Sequence, residues 1–206
     1  RYTDVIRTWI YLRNIVSWYG DFNRVRNALY EKSGFFGRAG ARIFPASTGI
    51  EGSGGPGHCV MSLLAVRPGK NAERPRPILK SASQGRAYAY RSAFSRGISL
   101  KIGGTRVVFV SGTASIDAAG KSVYRGDPQG QSRQTLRSLT VLLEEQGASL
   151  ADIRSATLFC SNRGAFNAYR KAARRLRIPY FPVIPVRAAI CRPELEIELE
   201  AMAAIG

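Results

Sequence analysis

Apolar and charged positions alternate most sharply at the end of the chain, where Glu194, Glu196, Glu198 and Glu200 interleave with Leu195, Ile197, Leu199 and Ala201. A period of two is that of a β-strand, so one face is predicted to rest on a core and the other to carry the glutamates. Glu194 and Glu196 fit a solvated face. Glu198 and Glu200 lead into the apolar run 201–204 and so toward the interior, where a carboxylate is either paired or holds its proton to higher pH. Arg187 and Arg192, just upstream, are candidates for the pairing charge. A turn at Arg192-Pro193 separates this strand from a shorter extended stretch, 184–190.

From the other end, residues 4–12 are rich in β-branched and aromatic side chains and predict a buried strand. Residues 21–30 predict a helix with Asp21 or a near neighbour as N-cap and Phe22, Val25 and Leu29 on its inner face. A glycine-rich loop, an extended segment over 42–50, a second glycine-rich loop over 51–57 and a buried strand over 59–66 follow. Residues 152–204 repeat this order. Asp4-Val5 matches Asp152-Ile153, Phe22-Asn23 and Arg26 match Phe166-Asn167 and Arg170, and Leu63 and Ala65 match Leu199 and Ala201. A repeat this long predicts two similar units, not a solenoid.

The second copy has more in front of it: a strand over 105–116, a turn at 117–120, a short return strand over 122–124 completing a hairpin, and an amphipathic helix over 127–147 stopped by Gly147. The first copy lacks these parts. Either further sequence precedes Arg1 or the first unit is degenerate; an uncovered sheet edge favours the former. Residues 67–80 are polar and proline-rich, a linker. Residues 83–96 interleave aromatic and basic side chains, which suits a half-buried strand with snorkelling arginines, a stacking platform, or the wall of a pocket for a flat anion. The expected division is an incomplete unit over 1–80, a Tyr/Arg-rich connecting segment over 81–97 and a complete unit over 98–206. The fold class is α/β (α+β in layer terms), with mixed sheets backed by helices and the two units packed as a pseudo-oligomer.

Composition narrows the chemistry. The apolar fraction, 45%, suffices for a core. No apolar run reaches the length of a membrane span, and the first residues do not form a signal peptide. Cys59, Cys160 and Cys191 are odd in number and far apart, which argues for reduced thiols in the cytoplasm. One histidine, His58, argues against a metal site or a Ser-His-Asp triad. The formal net charge of +17 admits two readings: a nucleic-acid surface, or an enzyme whose arginines serve solubility and an anionic substrate. The densest cluster, Arg170, Lys171, Arg174, Arg175 and Arg177, sits on a predicted helix without any nucleic-acid-binding motif. Non-specific anion binding is expected, and no membrane association.

Residues 98–204, with Ser111-Gly112, Arg187 and the ending Glu198-Leu-Glu-Ala201, resemble the Rid (YjgF) family. Nearly the whole chain resembles the chorismatases, which carry a Rid-like domain behind a divergent relative. The motifs are Arg7-Thr-Trp9, 45–49 (Pro-Ala-Ser-Thr-Gly), Phe94-Ser-Arg96, 109–116 (Phe-Val-Ser-Gly-Thr-Ala-Ser-Ile) and Cys191-Arg192 shortly before Glu198. The segment 84–96 and the loop 116–127 are shorter than in that family. The resemblance implies chorismate as substrate, loss of pyruvate, and no metal or organic cofactor. Hydrolysis of an enol ether needs a proton on its terminal carbon, and a buried glutamate such as Glu198 is a suitable acid. Two carboxylates need cations, for which Arg187, Arg192, Arg91 and Arg86 are candidates. Tyr88, Tyr90, Ser111 and Thr113 are candidates for hydrogen bonds to substrate, with Ala114 beside them. Cys191 either lines the pocket and biases the product toward 3-hydroxybenzoate over a dihydroxycyclohexadiene carboxylate, or is a packed small hydrophobe. In the first copy Ser47 and Ser62 stand where Arg187 and Glu198 stand in the second, so the working site is expected in the second. Two rival readings are a Rid-type 2-imino acid deaminase, typically a homotrimer, and a non-catalytic basic protein that binds nucleic acid or regulates. A single chain whose two units mimic an oligomer is the alternative assembly.

Overall fold

A computed structural model of the chain describes residues 4–33, 44–52, 57–70 and 72–206. The glycine-rich loops, and the start of the segment expected over 42–50, therefore lie largely outside the described residues. The first unit is a three-stranded sheet in the order β2-β1-β3, built from β1 (Asp4–Leu12), β2 (Ala46–Glu51) and β3 (Cys59–Val66), with helix α1 (Ile15–Lys32) between β1 and β2. The second is a six-stranded sheet in the order β4-β5-β6-β9-β7-β8. Its strands are β4 (Arg76–Ile78), β5 (Gly97–Ile102), β6 (Thr105–Ala114), β7 (Ile153–Cys160), β8 (Ile184–Arg187) and β9 (Ile197–Ile205). Helices α2 (Pro128–Glu144) and α3 (Arg163–Arg175) complete it.

The internal repeat is visible in the pairing. β1 runs parallel to β2 and antiparallel to β3, and β7 runs parallel to β8 and antiparallel to β9. In each unit the parallel pair is joined through a helix, as a parallel connection requires. The expected mixed α+β architecture of tandem units is present.

Period two on β9 sends Ile197, Leu199, Ala201 and Ala203 into the core with α2 and α3, beside Leu136, Leu139, Leu142 and Leu143. The even-numbered residues, Glu198 and Glu200 among them, fall on the other face. That face carries no helix of the second unit. The first unit covers it instead, through the apolar clusters Ile6, Ala46, Ile98, Leu100 and Ile50, Ala114, Phe159, Ile190, Leu195. Glutamates that would be solvated on an open sheet are thereby enclosed between two units.

Helix caps follow their residues. Asp127 accepts from the Gly130 amide and Asn162 from the Ala165 amide, which fixes the starts of α2 and α3. Gly147, with φ of 71°, ends the segment after α2 as expected. Several expectations are corrected. α1 begins after Asn14, not at Asp21, and is rotated: Val25 and Leu29 are more than half exposed, while Ile15, Arg26 and Tyr30 turn inward. β3 is not buried. It pairs only with β1 among the described residues, and Val60, Met61, Leu63 and Leu64 are exposed, since an edge strand has neighbours on one side only.

The hairpin also lies elsewhere. β6 turns back onto β5 through Gly103-Gly104, both at positive φ, as a tight two-residue turn demands. The expected return strand over 122–124 is reduced to a single bridge between Ile116 and Ser122. Within the expected linker, Arg76–Ile78 forms the edge strand β4 on β5. The Tyr/Arg segment is not a strand: Ala87–Tyr90 is one 3-10 turn.

Candidate active site

A cavity enclosing about 510 Å³ of empty space, its open mouth included, lies between the units. Glu198 and Gly112 from the larger sheet form its floor, and Tyr19, Arg26, Ser47 and Gly49 of the first unit form one wall. Tyr90, Ser92, Phe94 and Arg96 of the connecting segment form another, and Ala114, Ile116, Cys191, Arg192 and Leu195 complete the lining.

Glu198 is 4% exposed. Burial first, and then the neighbouring Glu200 carboxylate, push its pKa up from 4.5 to about 8, against the pull of Arg7 and Arg192. It is therefore mostly protonated at neutral pH. The backbone of β6 makes room for it. A β-bulge between Val110 and Thr113 shifts the register against β9, and a Cβ on Gly112 would run into the Glu198 carboxyl. Glycine at 112 is thus what allows the acid to lie against the sheet. The bulge also explains why Ser111, next to Gly112, points toward the first unit. Its hydroxyl donates to the Ser95 carbonyl at 2.5 Å and accepts from the Ser47 amide at 2.8 Å.

Three guanidinium groups face the cavity. Arg192 donates to the Gly120 carbonyl at 2.8 Å and to Ser122 Oγ at 3.1 Å. Arg96, 2% exposed, donates through Nε and Nη2 to the Gly85 carbonyl at 2.9 and 2.8 Å. Both lie about the Tyr90 ring, 5.6 and 5.5 Å from its centroid, a cation–π arrangement that orients all three side chains. Burial pushes the Tyr90 hydroxyl up and the Arg96 guanidinium down, each opposed by the other. Arg26 donates to Asn23 Oδ1 at 2.6 Å, while its Nε is buried with no hydrogen-bond partner. A buried, unengaged N–H of a cation is an unmet demand for an anionic acceptor. Burial pushes the Cys191 thiol up to about 12, so it is a neutral thiol here. Among the described residues, no three His, Cys, Asp or Glu side chains come together as a metal site.

Of the candidates, the cavity gathers Glu198, Arg192, Cys191, Tyr90 and Ala114. Arg187 lies at the end of the edge strand β8 and is exposed, away from the cavity. Arg86 and Arg91 are exposed, and Tyr88 stacks on Phe44 and donates to Glu31 at 3.3 Å. In a strand, 86, 88 and 90 would share a face. In a 3-10 turn residues three apart coincide, so Tyr90 turns inward with Ala87 while Tyr88 and Arg91 share another side. Ser111 and Thr113 are buried in structural bonds, Thr113 Oγ1 to the Ser111 carbonyl at 2.9 Å. Neither Arg187 nor Arg192 pairs with Glu200. Its partner is Arg7, at 2.5 Å. Tyr19, Arg26 and Ser47 of the first unit, and Arg96, were not among the candidates, so the second unit does not form the cavity alone. Arg96 carried a signal, as the last residue of the Tyr/Arg segment before β5. Arg26 carried only its place in the repeat.

The family model described as Endoribonuclease L-PSP matches residues 86–205, more than half of the chain. A 3-hydroxybenzoate synthase from Streptomyces hygroscopicus is 27% identical over 98% of this chain and 64% of its own length. A chorismatase crystal structure superposes with a TM-score of 0.81 at 24% identity, over 98% of this chain and 64% of that one. The RidA structure from an Antarctic Psychrobacter bacterium covers 63% of this chain and all of its own, with a TM-score of 0.51 at 20% identity. The chain thus spans somewhat less than two thirds of the length of the curated relative it matches.

Proposed function

The chain belongs to the endoribonuclease L-PSP family, and from that premise we propose that its cavity releases pyruvate from chorismate, with Glu198 as general acid. One observation carries the reading: a buried carboxyl that keeps its proton to about pH 8 stands in a cavity with three guanidinium groups. Glu198 gives its proton to the terminal methylene carbon of the enolpyruvyl ether. The resulting oxocarbenium ion is captured by water, and the hemiketal collapses to pyruvate and the ring alcohol. With water consumed overall the ring product is a dihydroxycyclohexadiene carboxylate. If the ring instead loses the equivalent of that water and aromatises, it is 3-hydroxybenzoate. The name of the curated relative favours the second product.

Arg96 and Arg192, both braced on backbone carbonyls, suit one carboxylate, and Arg26 with its free Nε suits the other. Tyr90 packs between them, and Cys191 stands beside the acid as a neutral thiol. A 2-imino acid deaminase of the Rid type would lean on Arg187, which is exposed and does not line the cavity, so the cavity favours the chorismate reading. Under this proposal the two units stand in for the subunits of an oligomer, the site falling between them. Cytoplasmic location is part of the same proposal, and no helix of the described residues is long and apolar enough to cross a membrane.

The test is continuous assay of pyruvate from chorismate for the parent and Glu198→Gln, with chromatography of the ring product. Release by the parent and a loss of at least about a hundredfold in the variant, the scale of a lost general acid, is expected. No release by the folded parent chain would overturn the assignment for this chain.

A further inference from the structure

Beneath Glu198 lies a second carboxylate with a cation of its own. Arg7 reaches across from β1 of the first unit to Glu200 on β9, 193 residues away in sequence. The Arg7 side chain is 3% exposed and that of Glu200 12%. The same Nη2 that meets Glu200 meets Thr48 Oγ1 at 2.5 Å, and Thr48 Oγ1 also accepts from the Gly112 amide at 3.1 Å. Gly112 is the residue over which the Glu198 carboxyl lies. Arg7 Nη1 is buried with no hydrogen-bond partner. Among the described residues, the charges enclosed beneath Glu198, on the side away from the cavity, are thus two carboxyl groups and one guanidinium, and an arginine does not give up its proton inside a protein. An unpaired buried charge is strongly disfavoured. Arg7 pairs with one carboxylate, Glu200, and the other carboxyl, without a paired cation of its own there, keeps its proton.

We propose that Glu200 is a positioning residue: by holding Arg7 on itself and Thr48 it absorbs the buried cation that lies beneath Glu198, and so leaves Glu198 in the protonated form that general-acid chemistry requires. The inference rests on the reading of Glu198 as the acid. The other groups around Glu198 do not supply the same control: Arg96 and Arg26 also line the cavity, but Arg96 is held on the Gly85 carbonyl and Arg26 on Asn23, and neither is among the charges that act on Glu198. Arg192 approaches from the loop before β9 but is fixed on Gly120 and Ser122, and Cys191, Tyr19 and Tyr11 are neutral at physiological pH, each pushed up by burial. Glu200 and Arg7 are also the largest charge contributions felt by Glu198, of opposite sign. With the Glu200 charge removed, Arg7 keeps only Glu198 as a counter-ion, and Glu198 ionises.

The experiment is an infrared pH titration of the protonated carboxyl band of Glu198, assigned by its loss in Glu198→Gln. In Glu200→Gln the band is expected to disappear about two pH units lower than in the parent, the scale set by an unshared opposite charge within contact distance. That is at least about a tenfold drop in protonated Glu198 at neutral pH, with pyruvate release recovering on acidification. The double variant Arg7→Met/Glu200→Gln, which removes cation and carboxylate together, is expected to return the band to within about one pH unit of the parent. A band in Glu200→Gln that titrates as in the parent, or a double variant that does not restore it, would overturn the inference. If Glu200→Gln fails to fold, Arg7→Met decides: two carboxyls without a cation should hold their shared proton to higher pH, and an unmoved band overturns the proposal. The titration uses no substrate. Absence of pyruvate release in the parent would therefore count against the function while leaving this inference to stand or fall on the band.

Discussion

Glu198→Gln should make the protein more stable in alkali, and the size of the gain follows from the site. In the folded chain Glu198 holds its proton to about pH 8, against 4.5 for an ordinary glutamate, because burial and Glu200 disfavour the charge. That interval is a factor of about 3,000 in proton affinity, or roughly 5 kcal/mol at most, since water entering the cavity would soften the cost of the charge. The unfolded chain loses the proton near 4.5 and the folded chain near 8. The parent therefore has the full benefit of this group below about pH 4.5, loses it progressively as pH rises, and has lost it all above pH 8. Glutamine is nearly the shape of the protonated acid and does not titrate. Urea unfolding of parent and variant at pH 5 and pH 9 isolates the effect, because groups away from this site titrate alike in both. The two should differ by less than about 1 kcal/mol at pH 5, and the variant should be the more stable by about 3 to 5 kcal/mol at pH 9. Parallel stability curves across that range would refute both the raised proton affinity and the argument that burial causes it.

Gly112→Ala should abolish most pyruvate release while the fold persists, because the added methyl collides with the Glu198 carboxyl; activity within about threefold of the parent, in an assay that resolves tenfold changes, would show that the close approach is not required. Arg96→Lys should raise KM for chorismate by about tenfold or more, since one ammonium cannot reproduce the fork on Gly85 or the packing on Tyr90, and steady-state kinetics will show it. Arg187→Ala should leave pyruvate release within about twofold, as the residue is exposed on the edge strand β8; a large loss would return the argument to a deaminase-like use of that arginine. Leu139→Ala, at a position of zero exposure between α2 and the sheet, should cost about 2 to 5 kcal/mol in urea unfolding without altering the pH dependence of activity.

Local pattern determined a good deal. The repeat order of strand and helix, the amphipathic helix starting near Asp127, and the alternation that sets Glu198 and Glu200 apart from Leu199 and Ala201 are all properties of short stretches, governed by period and by backbone hydrogen bonds within the element. The unusual state expected of Glu198 was legible for the same reason: a strand that runs on into alanines carries its glutamates inward. What only the tertiary structure decided is which charges meet them. An arginine side chain is long enough to reach several partners, so its target depends on the turn that aims it and on what packs opposite. The 3-10 turn at 87–90 sends Tyr90 in and Arg91 out, the rotation of α1 buries Arg26 and exposes Val25, and β8 at the sheet edge points Arg187 to solvent. The partner of Glu200 comes from the far end of the chain because the first unit closes over the helix-free face of the second, and no period or spacing within a segment records a contact between Arg7 and Glu200.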